Sequence, residues 1–169
     1  MTDALEPEQL GTYFVLMESA GLLQHAVEQQ LRAAGDLSYV QFQLLARLAA
    51  AEGRLTMTEL ADGVVYSRSG LTHQAGLLER AGLITRAPSP DDQRATSVTI
   101  TEAGMARVNQ VLPGHIEVVR RMLFEPLPAR DVRTLGAIMT RVRDHMRARP
   151  PRSATSRKRR TSSARTEDE

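Results

Sequence analysis

At 169 residues the chain has the length of one globular domain with room for a helical core. Zero cysteines exclude disulfides, thiolate nucleophiles, Cys-containing zinc sites and thiol-based peroxide sensing, and aromatics at 4% with no Trp leave the core to Leu, Val, Ile, Met and Ala. The net charge of +2 is split: residues 1–149 carry 16 Arg against 17 Asp or Glu, and residues 150–169 carry six cations against three acids, so a folded part that binds nucleic acid must do so with a local patch.

The opening MTDALEPEQL has no basic region of the kind a signal peptide needs. No stretch reaches the roughly 18 consecutive apolar residues of a membrane span. A cytoplasmic protein with no membrane partner is expected.

Residues 8–33 place Leu10, Tyr13, Phe14, Met17, Leu22, Leu23, Val27 and Leu31 near a 3.6-residue period, which predicts a long helix with a broad apolar side. Gly35 and Asp36 end it. Ser38 is the N-cap of a second helix, Tyr39 to Ala51, with Phe42, Leu45 and Leu48 inward, and Gly53 stops it. Arg54-Leu55-Thr56 reads as a minor strand. Thr56 or Thr58 then caps a third helix with Glu59 in its first turn, where the helix dipole favours an acid.

Val65-Tyr66-Ser67 is a tight turn into the fourth helix, and two short helices so joined form a helix-turn-helix unit. In that fourth helix Leu71, Ala75, Leu78 and Ala81 share one face, while Arg68, Ser69, Thr72 and His73 lie mostly opposite and near the start. Ser67 can cap it, and the N–H groups of its first turn suit a phosphate. Gly70 and Gly76 each weaken the helix by about 1 kcal/mol relative to Ala.

After Gly82, Leu83 to Arg86 reads as a strand, Pro88 to Gln93 as a loop, and Thr96 to Ile100 as a returning strand with four β-branched residues. Thr101-Glu102 starts a fifth helix to about Phe124, with a bend expected at Pro113-Gly114. Pro126 and Pro128 separate a sixth, with Val132, Leu135, Ile138 or Met139, Val142 and Met146 on one face.

The expected fold is therefore mainly α with a small β-hairpin wing, a winged helix-turn-helix plus a helical dimerisation region. The first, fifth and sixth helices carry more apolar surface than one small winged helix covers, and a second copy of the chain is the natural cover. The organisation reads as an N-terminal dimerisation helix at 1–37, the winged helix-turn-helix at 38–101, dimerisation helices at 102–149 and a basic tail at 150–169. The tail has no large apolar residue and is expected to be disordered. Its Arg/Lys run at 157–160 is either a solvated tail or a source of salt-sensitive DNA affinity.

Asp92-x-Arg94-x-x-x-Val98-x-Ile100-Thr101-x-x-Gly104 resembles the wing signature of the MarR family of regulators, and Leu78-Glu79-Arg80-Ala81-Gly82-Leu83-Ile84 is similar to that family's end of the recognition helix. The resemblance covers roughly residues 8–148. It implies a homodimer whose terminal helices interlock and whose two winged helices reach successive major grooves of double-stranded, pseudo-palindromic DNA. It further implies a repressor relieved by a small aromatic or phenolic effector. The family often has proline where Arg68 stands and a second basic residue near Gly76 or Leu77, so here weight shifts to Arg86 and Arg94 of the hairpin.

Thr72, His73 and Gln74 fall where groove-reading residues belong, since Gln can bond adenine in bidentate fashion and Thr can touch a thymine methyl. Gln74 lies at the edge of the buried face. Arg94 has two compatible readings, a fork into the minor groove or onto phosphate, and a surface pair with Asp92. Arg86 reads as a phosphate contact rather than a base reader.

Phe14, Met17, Phe42, Leu45 and Met57 are either core or the border of the family's ligand cleft, and His115 beside Pro113-Gly114 is a further candidate for that lining. The four histidines have no metal-binding spacing, and no metal or cofactor is expected. Ser67-Arg68-Ser69-Gly70 lacks the leading glycine of a nucleophile elbow, and Asp91 and Asp92 on a wing have no burial to shift a pKa, so no enzyme is expected. The rival reading is a winged helix that binds protein without reading DNA, motivated by the −1 charge of residues 1–149.

Overall fold

Side-chain caps at the helix starts set the punctuation of the chain. The Ser38 hydroxyl accepts from the Gln41 backbone N–H at 3.2 Å while the Gln41 side-chain oxygen Oε1 accepts from the Ser38 backbone N–H at 2.9 Å. Thr56 and Glu59 repeat this reciprocal arrangement at 3.2 and 2.7 Å, and Ser67 and Thr101 accept from the N–H groups of Gly70 and Gly104 at 3.2 and 3.0 Å. Each such cap satisfies a donor that the helix cannot, and contributes about 1 kcal/mol.

The computed structural model describes residues 4–64, 67–90 and 94–148, with only the backbone at Gly63 and Arg68. The elements are α1 (Pro7–Gly35), α2 (Tyr39–Ala50), β1 (Arg54–Thr56), α3 (Met57–Gly63), α4 (Arg68–Arg80), β2 (Ile84–Pro88), β3 (Thr96–Ile100), α5 (Glu102–Val119) and α6 (Ala129–Ala148). The strands form one antiparallel sheet in the order β1-β3-β2, with Leu55 opposite Val98 on one side and Arg86 opposite Val98 on the other. The chain divides after Pro126 into two units.

In the first unit, Leu31 of α1, Leu45 and Leu48 of α2, Leu71 and Leu78 of α4, Val98 of β3 and Val111 of α5 are all buried in one cluster. Each such side chain contributes roughly 1.5–3 kcal/mol of apolar burial. The amphipathic faces expected for α2 and α4 are thus the ones turned inward, joined by Leu44, which the periodicity did not single out.

The C-terminal end of α1 packs directly on α5. A Cβ at Gly35 would overlap Val111, and the Arg107 guanidinium donates to the Gly35 carbonyl while the Gln110 amide donates to the Ala34 carbonyl at 2.6 Å. Asp36 follows in the left-handed region at φ 50°, closing the helix with its N–H on the Arg32 carbonyl. Side chains of α5 therefore satisfy carbonyls that the end of α1 leaves over.

Several expectations are corrected. Helix α1 begins at Pro7, one residue earlier than the periodic pattern, because Glu6 and Gln9 form a capping box and proline suits the first turn. Ala81 is exposed, not on the buried face, because α4 ends at Arg80 and Ala81 is its cap. The first wing strand starts at Ile84, and Leu83 is buried just ahead of it. Helix α5 runs through Pro113 to Val119, short of the expected Phe124, and continues as a π-helical turn, Arg120–Phe124.

In the second unit, α6 carries Ile138, Met139, Val142 and Met146 exposed along the face that the sequence marked as apolar. In the first unit, Leu10, Tyr13, Phe14, Met17 and Leu22 of α1 are likewise exposed. The turn at Val65-Tyr66, the loop residues Asp91, Asp92 and Gln93, and the basic tail at 150–169 lie outside the described residues.

Candidate nucleic-acid interface

Helix α4 buries its back and exposes its front. Leu71, Ala75 and Leu78 are sunk in the core, while Ser69, Thr72 and His73 are exposed on the opposite side of the first two turns. Ser67, exposed, holds the start through its bond to the Gly70 N–H and lies 3.5 Å from the Ser69 hydroxyl. Gln74 is half-buried, and its amide carbonyl oxygen is enclosed with no hydrogen-bond partner among the described residues, so this side chain faces inward more than Thr72 or His73. Arg68 is the first residue of the helix; its side chain lies outside the description.

The turn from α4 into the wing explains why Ala81-Gly82-Leu83 and Thr101-x-x-Gly104 occur together. Gly82 has φ 72°, a conformation that suits glycine, and its N–H donates to the Glu79 carbonyl at 2.9 Å. Thr101 then ties the far end of the wing to this turn: its hydroxyl donates to the Gly82 carbonyl at 2.7 Å and its N–H to the Leu83 carbonyl at 3.1 Å. A Cβ at Gly104 would overlap that same Leu83 carbonyl, so the close approach needs glycine. The wing is thereby closed at its base.

Arg86, half-buried on β2, is gripped by Glu79 in the last turn of α4. The Glu79 carboxylate accepts from Arg86 Nε at 3.0 Å, from Nη2 at 2.6 Å and from the Arg86 backbone N–H at 3.2 Å. The guanidinium bonds hold the Glu79 carboxyl below the usual carboxylate range despite partial burial. Arg94 is exposed just before β3. Glu79, Arg86 and Arg94 line one open groove of about 420 Å³ with Ala87, Pro88, Ala95 and Thr96. The sequence reading named both arginines and missed Glu79, whose signal was only an acid in the last turn of a helix that a strand arginine follows.

The candidate effector residues separate. Phe42 and His115 meet, with ring centroids 4.6 Å apart and tilted by 51°. His115 Nδ1 is enclosed without a hydrogen-bond partner among the described residues, and burial pushes its pKa down. Leu45 is fully buried in the core, Phe14 and Met17 are exposed on α1, and Met57 borders a separate cleft of about 150 Å³ with Thr58, Ala61, Asp62, Leu71 and Thr72. Gln30 joins the His115 region, donating to the Val111 carbonyl at 3.2 Å and lying so close to Gly114 that a Cβ there would overlap it.

Among the described residues no group of His, Asp or Glu is placed to hold a metal ion, and no helix is long and apolar enough to cross a membrane.

Comparison with known proteins agrees with this layout. A model of the MarR family matches residues 35–95, which run from the end of α1 to the residue before β3. The HTH-type transcriptional regulator PecS of Dickeya dadantii is 30% identical over 112 residues, 65% of this chain and 67% of that protein. The crystal structure of Sco3205 from Streptomyces coelicolor, a MarR family transcriptional regulator in complex with DNA, superposes with a TM-score of 0.82 at 30% identity, covering 90% of this chain and 94% of that one. AbsC, another MarR family regulator from the same organism, gives a TM-score of 0.82 at 28% identity over 88% of this chain and 100% of its own.

Proposed function

This chain belongs to the MarR family and is a DNA-binding transcription regulator, and from that premise we propose that it acts as a homodimeric, effector-responsive repressor of a pseudo-palindromic operator. The observation that carries the reading is the pairing of an exposed front on α4, formed by Ser69, Thr72 and His73, with a wing tied to the same helix through Gly82 and Thr101. Two such units related by two-fold symmetry read half-sites about one helical turn apart.

In this reading Ser67, Arg68, Ser69, Thr72 and His73 approach the major groove from the start of α4, where the helix dipole also favours phosphate. Gln74 contributes from the edge of that surface. Arg86 contacts the phosphate backbone with donors that Glu79 leaves over, and Arg94 enters or borders the minor groove. With residues 1–149 carrying 17 acids against 16 arginines, placement rather than bulk charge directs the protein to DNA.

The exposed apolar faces of α1 and of α6 support a second copy as partner, since an uncovered run such as Leu10, Tyr13, Phe14 and Met17 is costly in water. Residues 1–37 and 102–149 then serve dimerisation, 38–101 bind DNA, and the tail at 150–169 adds salt-sensitive affinity. A small aromatic effector is received beside Phe42 and His115, where an aromatic face and an unsatisfied ring nitrogen lie together. No catalytic step is part of this function, and the protein works in the cytoplasm.

Fluorescence anisotropy on the DNA flanking its own gene tests the reading. Saturable binding that outcompetes scrambled duplex, and that survives removal of residues 150–169, is expected. Loss of all binding on that truncation shows that the winged helix is not the reader and favours a protein-binding role.

A further inference from the structure

We propose that Glu79 is a positioning residue for DNA reading: by clamping Arg86 of β2 to the last turn of α4, its carboxylate sets the wing at the distance from the recognition helix that simultaneous groove contacts require. This rests on the reading of α4 and the wing given above. It concerns a residue that touches no DNA itself.

Glu79 holds the wing in two ways. Its backbone carbonyl accepts from the Gly82 N–H at 2.9 Å, and its carboxylate accepts three bonds from Arg86. One of these comes from the Arg86 backbone N–H. Strand β2 is at the edge of the sheet, so a side chain of α4 satisfies a donor that no neighbouring strand takes. The guanidinium comes to rest over α4 as well, because a Cβ placed on Gly76 would lie 3.9 Å from Arg86 Nη2.

The chemistry of the pair sets it apart from ion pairs formed within single helices or turns among the described residues. Arg32 with Glu28, Arg120 with Glu117, Arg130 with Asp131 and Arg143 with Asp144 each join close neighbours in sequence with at least one largely exposed partner, the kind worth little. Glu79 and Arg86 join a helix to a strand across a turn, with side-chain exposures of 37% and 28%. A planar fork on a carboxylate fixes orientation as well as distance. From Arg86 the strand continues through Ala87 and Pro88, paired with Ser97 and Thr96, so the direction in which β2 leaves the clamp is passed to the whole hairpin.

Charge and position predict opposite signs, which makes the idea testable. An acid close to a DNA surface repels phosphate, so as a charge alone its removal strengthens binding. As a clamp, its removal weakens discrimination.

The experiment uses the full-length protein, the duplex from its own flanking DNA and a scrambled duplex, read by anisotropy at one salt concentration. For Glu79→Gln the ratio of cognate to scrambled affinity is expected to fall about tenfold, with scrambled binding unchanged or tighter. Arg86→Lys keeps the charge but loses the fork, and is expected to reproduce the fall. Thermal unfolding and sedimentation confirm that each variant is folded and has the same assembly state as the wild type. Full selectivity in both variants overturns the proposal. If the wild type itself fails to discriminate, the reading of α4 and the wing is overturned and the clamp with it.

Discussion

The Thr101 hydroxyl donates to the Gly82 carbonyl at 2.7 Å, so the residue that starts α5 also fastens the turn that ends α4. The same hydroxyl caps α5 by accepting from Gly104. Thr101→Ala removes both interactions. A cap is worth about 1 kcal/mol and a further hydrogen bond about as much, so a loss of about 2 kcal/mol is expected in urea unfolding. A shift in the midpoint within error of zero contradicts the dual role.

Gly76 faces no close obstacle: its added Cβ would meet Arg80 Nη1 at 3.5 Å and Arg86 Nη2 at 3.9 Å, both ordinary contacts. Alanine lowers the entropic cost of fixing a helix interior. Gly76→Ala is therefore expected to stabilise the protein by about 1 kcal/mol, or roughly 2–4 °C in melting temperature. Gly104→Ala, which would drive a Cβ into the Leu83 carbonyl, is expected to move it the other way. A calorimetric scan of the two variants shows whether the signs differ.

Burial beside Phe42 pushes the His115 pKa down from its usual 6.5. The unfolded chain then takes up its proton at a higher pH than the folded one, so the folded state loses stability as pH falls below about 6.5 and continues to lose it until the lowered pKa is passed. Above neutrality the group has no effect. His115→Phe is expected to flatten the stability profile in this window, as read from urea midpoints at about pH 7.5 and 5.5. Equal slopes in the two proteins contradict the burial argument. The carboxyls of Glu59, held low by the Thr56 backbone N–H and hydroxyl, and of Glu79, held low by Arg86, act in a separate window, where stability is lost as pH falls below about 4.5.

Arg94 is exposed ahead of β3, and its proposed place is in the minor groove or at its rim. Arg94→Ala is expected to lower affinity for cognate DNA by about 1–3 kcal/mol with dimerisation unchanged. Unchanged affinity in a titration on cognate duplex counts against the wing assignment.

Local chemistry was the legible part. Ser38, Ser67 and Thr101 announced their helices, and of the two candidates Thr56 and Thr58 it is Thr56 that caps the third, because an N-terminal cap is a short-range arrangement. The β-branched run of β3 was read without error at either end. What stayed hidden depends on where the chain turns back. The Glu79–Arg86 clamp exists only because Gly82 adopts φ 72° and folds β2 across α4. The meeting of Phe42 with His115 depends on α2 and α5 packing together, which no spacing encodes. Phe14, Met17 and Leu45 shared one reading as cleft or core, yet the fold exposes the first two and buries the third. Periodicity gives a face and not its depth.

Selection of duplexes from a random library with the full-length protein shows whether two winged helices read DNA together. Enrichment of a two-fold symmetric sequence is expected, with half-sites centred about one helical turn, roughly 10–10.5 base pairs, apart. Enrichment of a single asymmetric half-site, or of no sequence at all, would contradict such joint reading.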